Sequence, residues 1–148
     1  MPDPTAALRV AALRLLTRRD HTRAELIDKL AAQAASAEEL NQVLDQLQAE
    51  RLLSDRRFAS QRVVARAGRY GDARLQQDLR QHGVDAADIA AALPEGGDET
   101  VRCRAVWTRK FGALPQSAQE RAKQMRFLQY RGFSSDAIRR TMRGVEEE

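Results

Sequence analysis

A short pattern that occurs three times along the chain constrains its fold more than any other sequence feature. Each copy holds a leucine, a break, a residue that can cap a helix, and apolar residues four and eight positions after that cap. The copies span residues 30–44, 79–93 and 128–142, so they are offset by 49 residues. Chance similarity between amphipathic helices is the alternative explanation. A register shared through a cap and two helices favours a true repeat.

Composition and helix start signals favour an all-α protein. Hydrophobic residues make up 43% of the 148-residue chain but aromatic residues only 5%, so a core must consist mainly of Leu, Val, Ile and Ala. No run of residues alternates apolar and polar side chains as a half-buried strand would. Three residues stand three positions before a glutamate, a capping-box spacing that predicts the start of a helix: Thr22, Ser36 and Ser117.

The stretch 55–83 contains the clearest predicted helix pair. Asp55 is predicted to cap its first helix and Asp72 its second, and Gly83 is predicted to end the second. Phe58 in this stretch lies 49 residues before Trp107. That pair is the one clear match between the first helices of the repeats.

These observations predict three tandem three-helix repeats. We place their boundaries at residues 1–53, 54–96 and 97–148, and expect the acidic tail beyond Gly144 to fray. The segment 94–98, with two adjacent glycines, is the clearest linker, and it predicts that the last repeat is mobile relative to the others. Repeats stacked in this way touch mainly their neighbours and would form an elongated body, which could be curved.

The sequence offers no candidate for catalysis, for a metal site or for a bound cofactor. Both histidines, His21 and His82, fall at predicted helix boundaries without a Cys or His at metal-ligand spacing. Gly96–Gly97 lacks the lysine of a phosphate-binding loop. The single cysteine, Cys103, lies in an apolar stripe, which favours a buried thiol. We therefore expect a protein that is not an enzyme.

The amino-terminal segment does not have the features of a signal peptide. Asp3 stands where positive charge is required, and Arg9 and Arg14 interrupt the apolar part. No stretch is long and apolar enough to span a membrane. The expected location is the cytoplasm, and the expected state is a monomer without a membrane partner.

The net charge of +4 is unevenly distributed. Residues 1–50 hold 6 basic and 8 acidic side chains, residues 51–97 hold 8 and 6, and residues 98–148 hold 11 and 7. Positive charge therefore accumulates in the second and third repeats. Of the 25 basic residues only Lys29, Lys110 and Lys123 are lysines, and arginine suits the recognition of phosphate and carboxylate groups.

Several of these basic residues are candidates for a contact surface. Arg62, Arg66 and Arg69 share one face of a predicted helix, and Tyr70 follows directly. The further candidates in the third repeat are Arg102, Arg109, Lys110, Arg121, Lys123, Arg126, Arg139, Arg140 and Arg143. Solubilising helix faces are the simpler explanation for any single arginine. As a group they predict an electropositive strip that could follow a phosphate backbone or an acidic protein groove.

The central repeat also carries a specific motif. Its residues are Asp55, Phe58, Ala59, Arg66, Arg69, Gly71, Leu75, Leu79, Gly83 and Val84. This spacing resembles the middle repeat of the RecX family of bacterial RecA regulators, and Gly132-Phe133-Ser134 with Ile138 is similar to its last repeat. The resemblance extends along nearly the whole chain. The first repeat is the least distinctive part.

The resemblance implies a negative regulator of the RecA recombinase. RecX-like proteins have three tandem three-helix repeats, lie in the groove of the RecA–DNA filament, suppress ATP hydrolysis and strand exchange, and limit filament growth. The motif covers only Arg66, Arg69 and Gly71 near the candidate surface, and Gly71 and Gly83 are expected to break helices. The other candidates depend on charge placement alone.

Two other functions stay open at the level of sequence. The protein could bind single- or double-stranded DNA directly, without RecA, in which case binding to bare DNA would depend strongly on salt. It could also be a structural adaptor for a different acidic partner, in which case it would have no effect on RecA.

Overall fold

The computed structural model describes residues 3–147, and this range contains nine α-helices, one 3₁₀ turn and no strand. The helices are α1 Pro4–Arg18, α2 Arg23–Leu30, α3 Ala37–Ala49, α4 Asp55–Arg66, α5 Asp72–Gln81, α6 Ala86–Ala92, α7 Glu99–Lys110, α8 Ala118–Tyr130 and α9 Ser135–Glu146; the 3₁₀ turn is Leu93–Gly96. The all-α prediction is confirmed. Within the described range, no helix combines the length and the apolar character needed to cross a bilayer.

Each group of three consecutive helices encloses its own apolar core. We call α1–α3 the first unit, α4–α6 with the 3₁₀ turn the second, and α7–α9 the third. The core of the first unit is mostly leucine, for example Leu26, Leu44 and Leu47, and the second is centred on residues such as Phe58 and Leu79. The third contains the buried Cys103, Trp107 and Met142. This arrangement confirms the prediction of three tandem three-helix repeats.

The three units form a row in which the second unit contacts both others. Hydrogen bonds join Thr22 to His82 and Gly71 to Arg131 across the two boundaries. The accessible surface of 9135 Å² for a 16.6 kDa chain exceeds the roughly 7,600 Å² of a compact monomer of this mass. The additional exposed surface is what an elongated body of small units would have.

The 49-residue register holds through the third helix of every unit. Ser36, Asp85 and Ser134 are the N-caps, and each side chain accepts a hydrogen bond from the backbone N–H three residues later. The residue four positions after each cap is buried: Leu40, Ile89 and Ile138. Because a polar cap and an apolar side chain recur at the same spacing, all three helices begin at equivalent positions.

The register does not extend to the first helices. They begin at Pro4, Asp55 and Glu99, so their starts lie 51 and 44 residues apart. Phe58 is the fourth residue of α4, whereas Trp107 is the ninth residue of α7. Both side chains are buried, but they occupy different turns. The predicted equivalence of Phe58 and Trp107 is therefore wrong.

The predicted caps of the central helix pair are also wrong by one residue. Ser54 caps α4 through its side chain, and Gly71 is the N-cap of α5 without a side-chain bond. A Cβ at Gly71 would lie 2.3 Å from the carbonyl oxygen of Gly132, so no side chain fits at that cap. Asp55 and Asp72 are instead the first residues of their helices.

Hydrogen bonds between equivalent chain positions connect the units at both boundaries, although the donor is a side chain at one boundary and the backbone at the other. At the first junction, between the first and second units, the Thr22 hydroxyl donates to the carbonyl of His82 at 2.6 Å. At the second junction, between the second and third units, the N–H of Gly71 donates to the carbonyl of Arg131 at 2.9 Å. Thr22 and Gly71 are both N-caps of second helices, and both pairs of residues are related by the 49-residue offset.

A carboxylate completes each joint in the same way. Asp55, the first residue of α4, accepts a hydrogen bond from the N–H of Arg23, the first residue of α2, at 2.8 Å. Glu99, the first residue of α7, accepts from the N–H of Asp72, the first residue of α5, at 2.8 Å. An acidic side chain that receives an N–H at a helix start satisfies an unpaired donor and interacts favourably with the helix dipole. Consecutive units are therefore attached through helix N-termini.

The linker and the tail both make contacts with neighbouring residues. A Cβ at Gly96 would lie 2.9 Å from Ala67, so this glycine packs closely on the end of α4. The Gly97 carbonyl accepts a hydrogen bond from Arg102 at 3.0 Å. Mobility of the last unit in solution stays a prediction. Helix α9 continues through Gly144 to Glu146, and Val145 is buried. Fraying of the tail stays a prediction, and Glu148 lies outside the described residues.

Candidate interaction surface

The first candidate arginine, Arg62, is committed to a neighbouring carboxylate. Its guanidinium donates from Nε and Nη2 to both oxygens of Asp78, which joins α4 to α5. Burial of the Asp78 carboxyl opposes ionisation, but hydrogen bonds from Arg62 and the charges of Arg62 and Arg66 outweigh it and lower the pKa of Asp78 below its usual value. Much of the charge of Arg62 is therefore neutralised within the protein.

A row of alternating aromatic rings and cations crosses the second junction. We call it the arginine–aromatic ladder, and its members in order are Tyr130, Arg74, Tyr70, Arg131, Phe127 and Lys110. The guanidinium carbon of Arg74 lies 5.4 Å from the Tyr130 ring centroid and 4.7 Å from that of Tyr70. That of Arg131 lies 5.4 Å from Tyr70 and 5.1 Å from Phe127. All these distances lie within the range of cation–π attraction.

The ladder is assembled by the second junction. Tyr70 directly precedes the N-cap of α5 and Arg74 lies in its first turn, whereas Tyr130 ends α8 and Arg131 is its C-cap. The hydrogen bond from Gly71 to the Arg131 carbonyl brings these helix ends together, and Arg74 adds a bond from Nη1 to the carbonyl of Tyr130 at 3.2 Å. The side chains are therefore aligned by the backbone before any partner binds.

Two grooves flank the ladder. The larger has a volume of about 490 Å³ and is lined by Arg66, Asp78 and Gln81 together with ladder residues including Tyr130. The smaller has a volume of about 280 Å³ and is lined by Arg69 and Arg109 together with the other end of the ladder. Both grooves open at the boundary between the second and third units.

The electrostatic character of this surface is strongly positive. The residues that line the two grooves include six cations: Arg66, Arg69, Arg74, Arg109, Lys110 and Arg131. They include one carboxylate, that of Asp78, which is already paired with Arg62. A cleft with one sign of charge concentrates ligands of the opposite sign, so this surface suits an anionic partner.

Five of the sequence-predicted residues come together here. Arg66 stacks on Tyr70 at 5.6 Å, and Tyr70 and Lys110 are members of the ladder. Arg69 and Arg109 line the smaller groove, and the Arg109 guanidinium donates to the carbonyl of Gly68. This hydrogen bond holds α7 against the end of α4.

Arg102 has a different role from the one expected. It is buried, with 8% of its surface exposed, and its guanidinium donates to the carbonyl groups of Ala67 and Tyr70, both at 2.9 Å. It also pairs with Asp72 at 3.0 Å. Arg102 therefore supports the turn that carries Tyr70 and cannot reach a partner in this arrangement.

The remaining candidates lie on α8 and α9. Arg121 turns towards α9 and pairs with Glu146 at 2.8 Å. Lys123 and Arg126 are exposed and stand four residues before Phe127 and Tyr130, so they continue the ladder face along α8. The α9 residues are exposed but lie outside both grooves: Arg139, Arg140 and Arg143. Arg139 and Arg140 lie near Asp136, at 3.7 and 3.0 Å.

Sequence reasoning missed four members of the ladder. They are Arg74, Phe127, Tyr130 and Arg131. A signal was present, because an arginine and a tyrosine directly precede a glycine both in Arg69-Tyr70-Gly71 and in Tyr130-Arg131-Gly132. The contact between these two segments arises only when the second junction forms.

Most of the chain matches the models of one known sequence family. Models described as the first, second and third three-helix domains of RecX match residues 9–47, 54–93 and 98–142. The chain is 44% identical over 144 residues to the regulatory protein RecX of Herminiimonas arsenicoxydans, which covers 95% of this chain and 94% of that protein. It is 45% identical over 151 residues to that of Ectopseudomonas mendocina, covering 99% of this chain and 100% of that protein.

The fold also matches solved structures. The crystal structure of RecX from Lactobacillus salivarius superposes with a TM-score of 0.88 at 20% identity and covers 100% of both chains. A second crystal structure of a regulatory protein RecX gives a TM-score of 0.79 at 23% identity, covering 94% of this chain and 73% of that one. These two likenesses concern the fold. Together with the domain matches and the sequence identities, they confirm the resemblance noted from the motifs: the chain belongs to the RecX family.

Proposed function

We propose that this protein is a negative regulator of the RecA recombinase. It binds in the helical groove of the RecA–DNA filament and suppresses ATP hydrolysis, strand exchange and filament growth. Membership of the RecX family supports the proposal, as do relatives named regulatory protein RecX at 44% and 45% identity. In this role the protein catalyses no reaction and needs no cofactor, and it acts in the cytoplasm as a monomer.

The observation that carries the proposal is the positive surface at the second junction of a three-unit row. A helical filament offers a long groove between successive protomers, and a ligand made of units in a row can follow it. The units joined through helix N-termini would supply that length. We retain the boundaries 1–53, 54–96 and 97–148 for them as part of the proposal.

We propose that the contact surface has a centre and a periphery. Its centre consists of Arg66, Arg69, Tyr70, Arg109 and Lys110, which surround the two grooves. The periphery consists of Arg62, Arg121, Lys123, Arg126, Arg139, Arg140 and Arg143. Arg102 is a positioning residue in this scheme, because its buried guanidinium holds the turn of Tyr70.

DNA-dependent ATP hydrolysis by the cognate RecA tests the proposal. The protein is titrated in below the RecA concentration, as the wild type and with Arg66, Arg69 and Arg109 changed together to alanine. We expect substoichiometric inhibition by the wild type and its loss in the triple variant. The matched control changes Arg14 and Arg18, exposed basic residues of α1, to alanine and should inhibit normally.

The possible outcomes test the regulatory function and the position of the contact surface separately. Absence of inhibition by the wild type would overturn the proposed function. If the triple variant still inhibits RecA, the proposed function stands, but the contact surface must consist of the peripheral residues. Direct binding of nucleic acid without RecA is the second candidate function. The ladder of rings and arginines, in which the Tyr130 ring is exposed, is the observation that favours it.

A further inference from the structure

We propose that the arginine–aromatic ladder is a binding site for single-stranded nucleic acid. Bases would stack on the exposed ring of Tyr130, and phosphates would pair with the arginines that flank the ladder. This inference rests on the second candidate function, direct binding of nucleic acid, and adds the site and the kind of strand; it is testable without any recombinase.

The exposed ring of Tyr130 is the first observation that supports the site. The residue keeps 73% of its surface exposed, the largest fraction among the large hydrophobic side chains of the described chain. The guanidinium carbon of Arg74 lies 5.4 Å from the ring centroid, and the exposed fraction leaves much of the ring surface open to solvent. An open aromatic face is a platform on which a base of any sequence can stack.

The arrangement of the cations is the second observation. The guanidinium groups of Arg74 and Arg131 lie over aromatic rings. A guanidinium donates in its own plane, so a ring against its face leaves its N–H groups able to donate to anionic oxygens. The two grooves together hold six cations and one carboxylate, and that carboxylate is already paired. Cationic groups interleaved with rings are the combination with which proteins bind single strands.

The preference for single strands follows from the rings. In a duplex the bases are stacked on each other, so the Tyr130 face would remain unused, whereas an unpaired base can reach it. An acidic peptide would use the cations but would gain nothing from an open ring face. The larger groove, at about 490 Å³, lies in the size range of small-ligand sites and can hold a nucleotide.

The ladder is held in place before a strand arrives. The Gly71–Arg131 hydrogen bond joins the two helix ends, and the buried Arg102 guanidinium donates a hydrogen bond to the Tyr70 carbonyl. Arg74 is held by the Tyr130 carbonyl. Because these side chains are already ordered, binding costs less conformational entropy than it would with free side chains.

The test uses the full chain and a fluorescent oligothymidylate of about 20 nucleotides, with binding followed by anisotropy in the absence of RecA. We expect Tyr130→Ala to raise the Kd about tenfold, and Tyr130→Phe, which keeps the ring, to bind as the wild type does. Arg74→Ala should flatten the dependence of log K on log salt by about 0.7 for each phosphate that it no longer neutralises. Arg14→Ala removes the same charge from the first unit and should leave binding unchanged.

Three results would overturn this proposal. One is equal affinity for the oligonucleotide and for a duplex of the same length. Another is an unchanged Kd for Tyr130→Ala, once circular dichroism shows that the variant is folded. The third is displacement of the oligonucleotide by a poly-glutamate peptide of equal charge at the same concentration, which would identify an acidic protein segment as the ligand. Inhibition of RecA is measured separately, so either proposal can fail while the other stands.

Discussion

The two junctions join equivalent chain positions but differ in the side chains that surround them. At the second junction the ladder includes Tyr70, Arg74, Phe127, Tyr130 and Arg131. The residues 49 positions earlier, at the first junction, are His21, Glu25, Asp78, Gln81 and His82. Acidic, amide and imidazole groups thus stand where the second junction has arginines and aromatic rings.

The polar groups of the first junction are directed at one another. Glu25 receives hydrogen bonds from Arg19 and from the N–H of Thr22, and Asp20 receives two from Arg57, at 3.0 and 2.8 Å. The hydrogen bonds from Arg57 lower the pKa of Asp20 despite its partial burial. The first junction therefore satisfies its own charges, whereas the second leaves cations available to a partner. The comparison teaches that one joint can serve as a structural connection in one place and carry a binding surface in another.

The largest expected effect on stability comes from replacing Gly132, the glycine at the second junction. Gly132 has a φ of 92°, and a Cβ there would lie 2.4 Å from the Cβ of Arg74 and 2.7 Å from its backbone nitrogen. We expect Gly132→Ala to lower the free energy of unfolding by about 3 kcal/mol or more, because backbone strain and a clash add together. Denaturant titration followed by circular dichroism measures this.

Gly68→Ala is the matched control for Gly132→Ala. A Cβ at Gly68 would meet nothing within 4 Å, so this change should shift the unfolding midpoint little. Similar destabilisation by both changes would contradict the idea that close approach at the second junction requires glycine.

A smaller effect is expected when one arginine at each junction is replaced and the two losses of stability are compared. Arg102→Ala removes a buried guanidinium that satisfies the carbonyl groups of Ala67 and Tyr70, and we expect a loss of about 2–4 kcal/mol. Arg57→Ala removes the half-exposed partner of Asp20 at the first junction and should cost about 1 kcal/mol. Equal losses in thermal or denaturant unfolding would show that burial does not distinguish the two arginines.

The smallest effect is a pH dependence that belongs to the first junction. His21 is buried, its Nδ1–H donates to the Arg19 carbonyl at 3.0 Å, and its Nε2 accepts from Lys29 at 3.1 Å. Burial lowers the pKa of His21, so the unfolded chain binds a proton more readily than the folded one. Stability should therefore fall as the pH drops below about 6.5, the ordinary pKa of histidine.

The measurement compares unfolding midpoints at two pH values on either side of that pKa. His21→Gln keeps a polar side chain but removes the titration, and it should lose less stability on acidification than the wild type. An equal loss in both proteins would contradict the role of His21. Carboxylates such as Asp20, Glu25 and Asp78 do not account for a change near pH 6.5. Their pKa values are lowered, so their contributions are lost only at more acidic pH.

The repeated third helices could be predicted from the sequence because their signals are local. A cap such as Ser36 and an apolar residue such as Leu40 act within one helix, so their spacing survives in the structure. The first helices could not be aligned, since their positions depend on packing and on loops of different length. Local signals predict that Asp55 caps its own helix, but its carboxylate reaches the N–H of Arg23, 32 residues away.

The candidate surface was predictable in sign but not in composition. Charge placement indicates a basic surface in the second and third units, and Arg66, Arg69 and Tyr70 lie in it. Tyr130 and Arg131 were missed because they meet Tyr70 only after two helix ends are joined. Sequence reasoning places Arg102 on the surface because a charged side chain is usually exposed, whereas here three carbonyl groups and a carboxylate receive its hydrogen bonds.

The hydrogen bonds of Arg102 also bear on the order in which the chain can be completed during synthesis. The carbonyl groups of Ala67 and Tyr70 find their partner 35 and 32 residues later along the chain. While a ribosome is still making that stretch, the end of α4 must be solvated by water, and the second unit remains unfinished. The carbonyl groups gain their hydrogen-bond partner only when α7 has been made. Translation of the third unit therefore stabilises the second unit as well as extending the row.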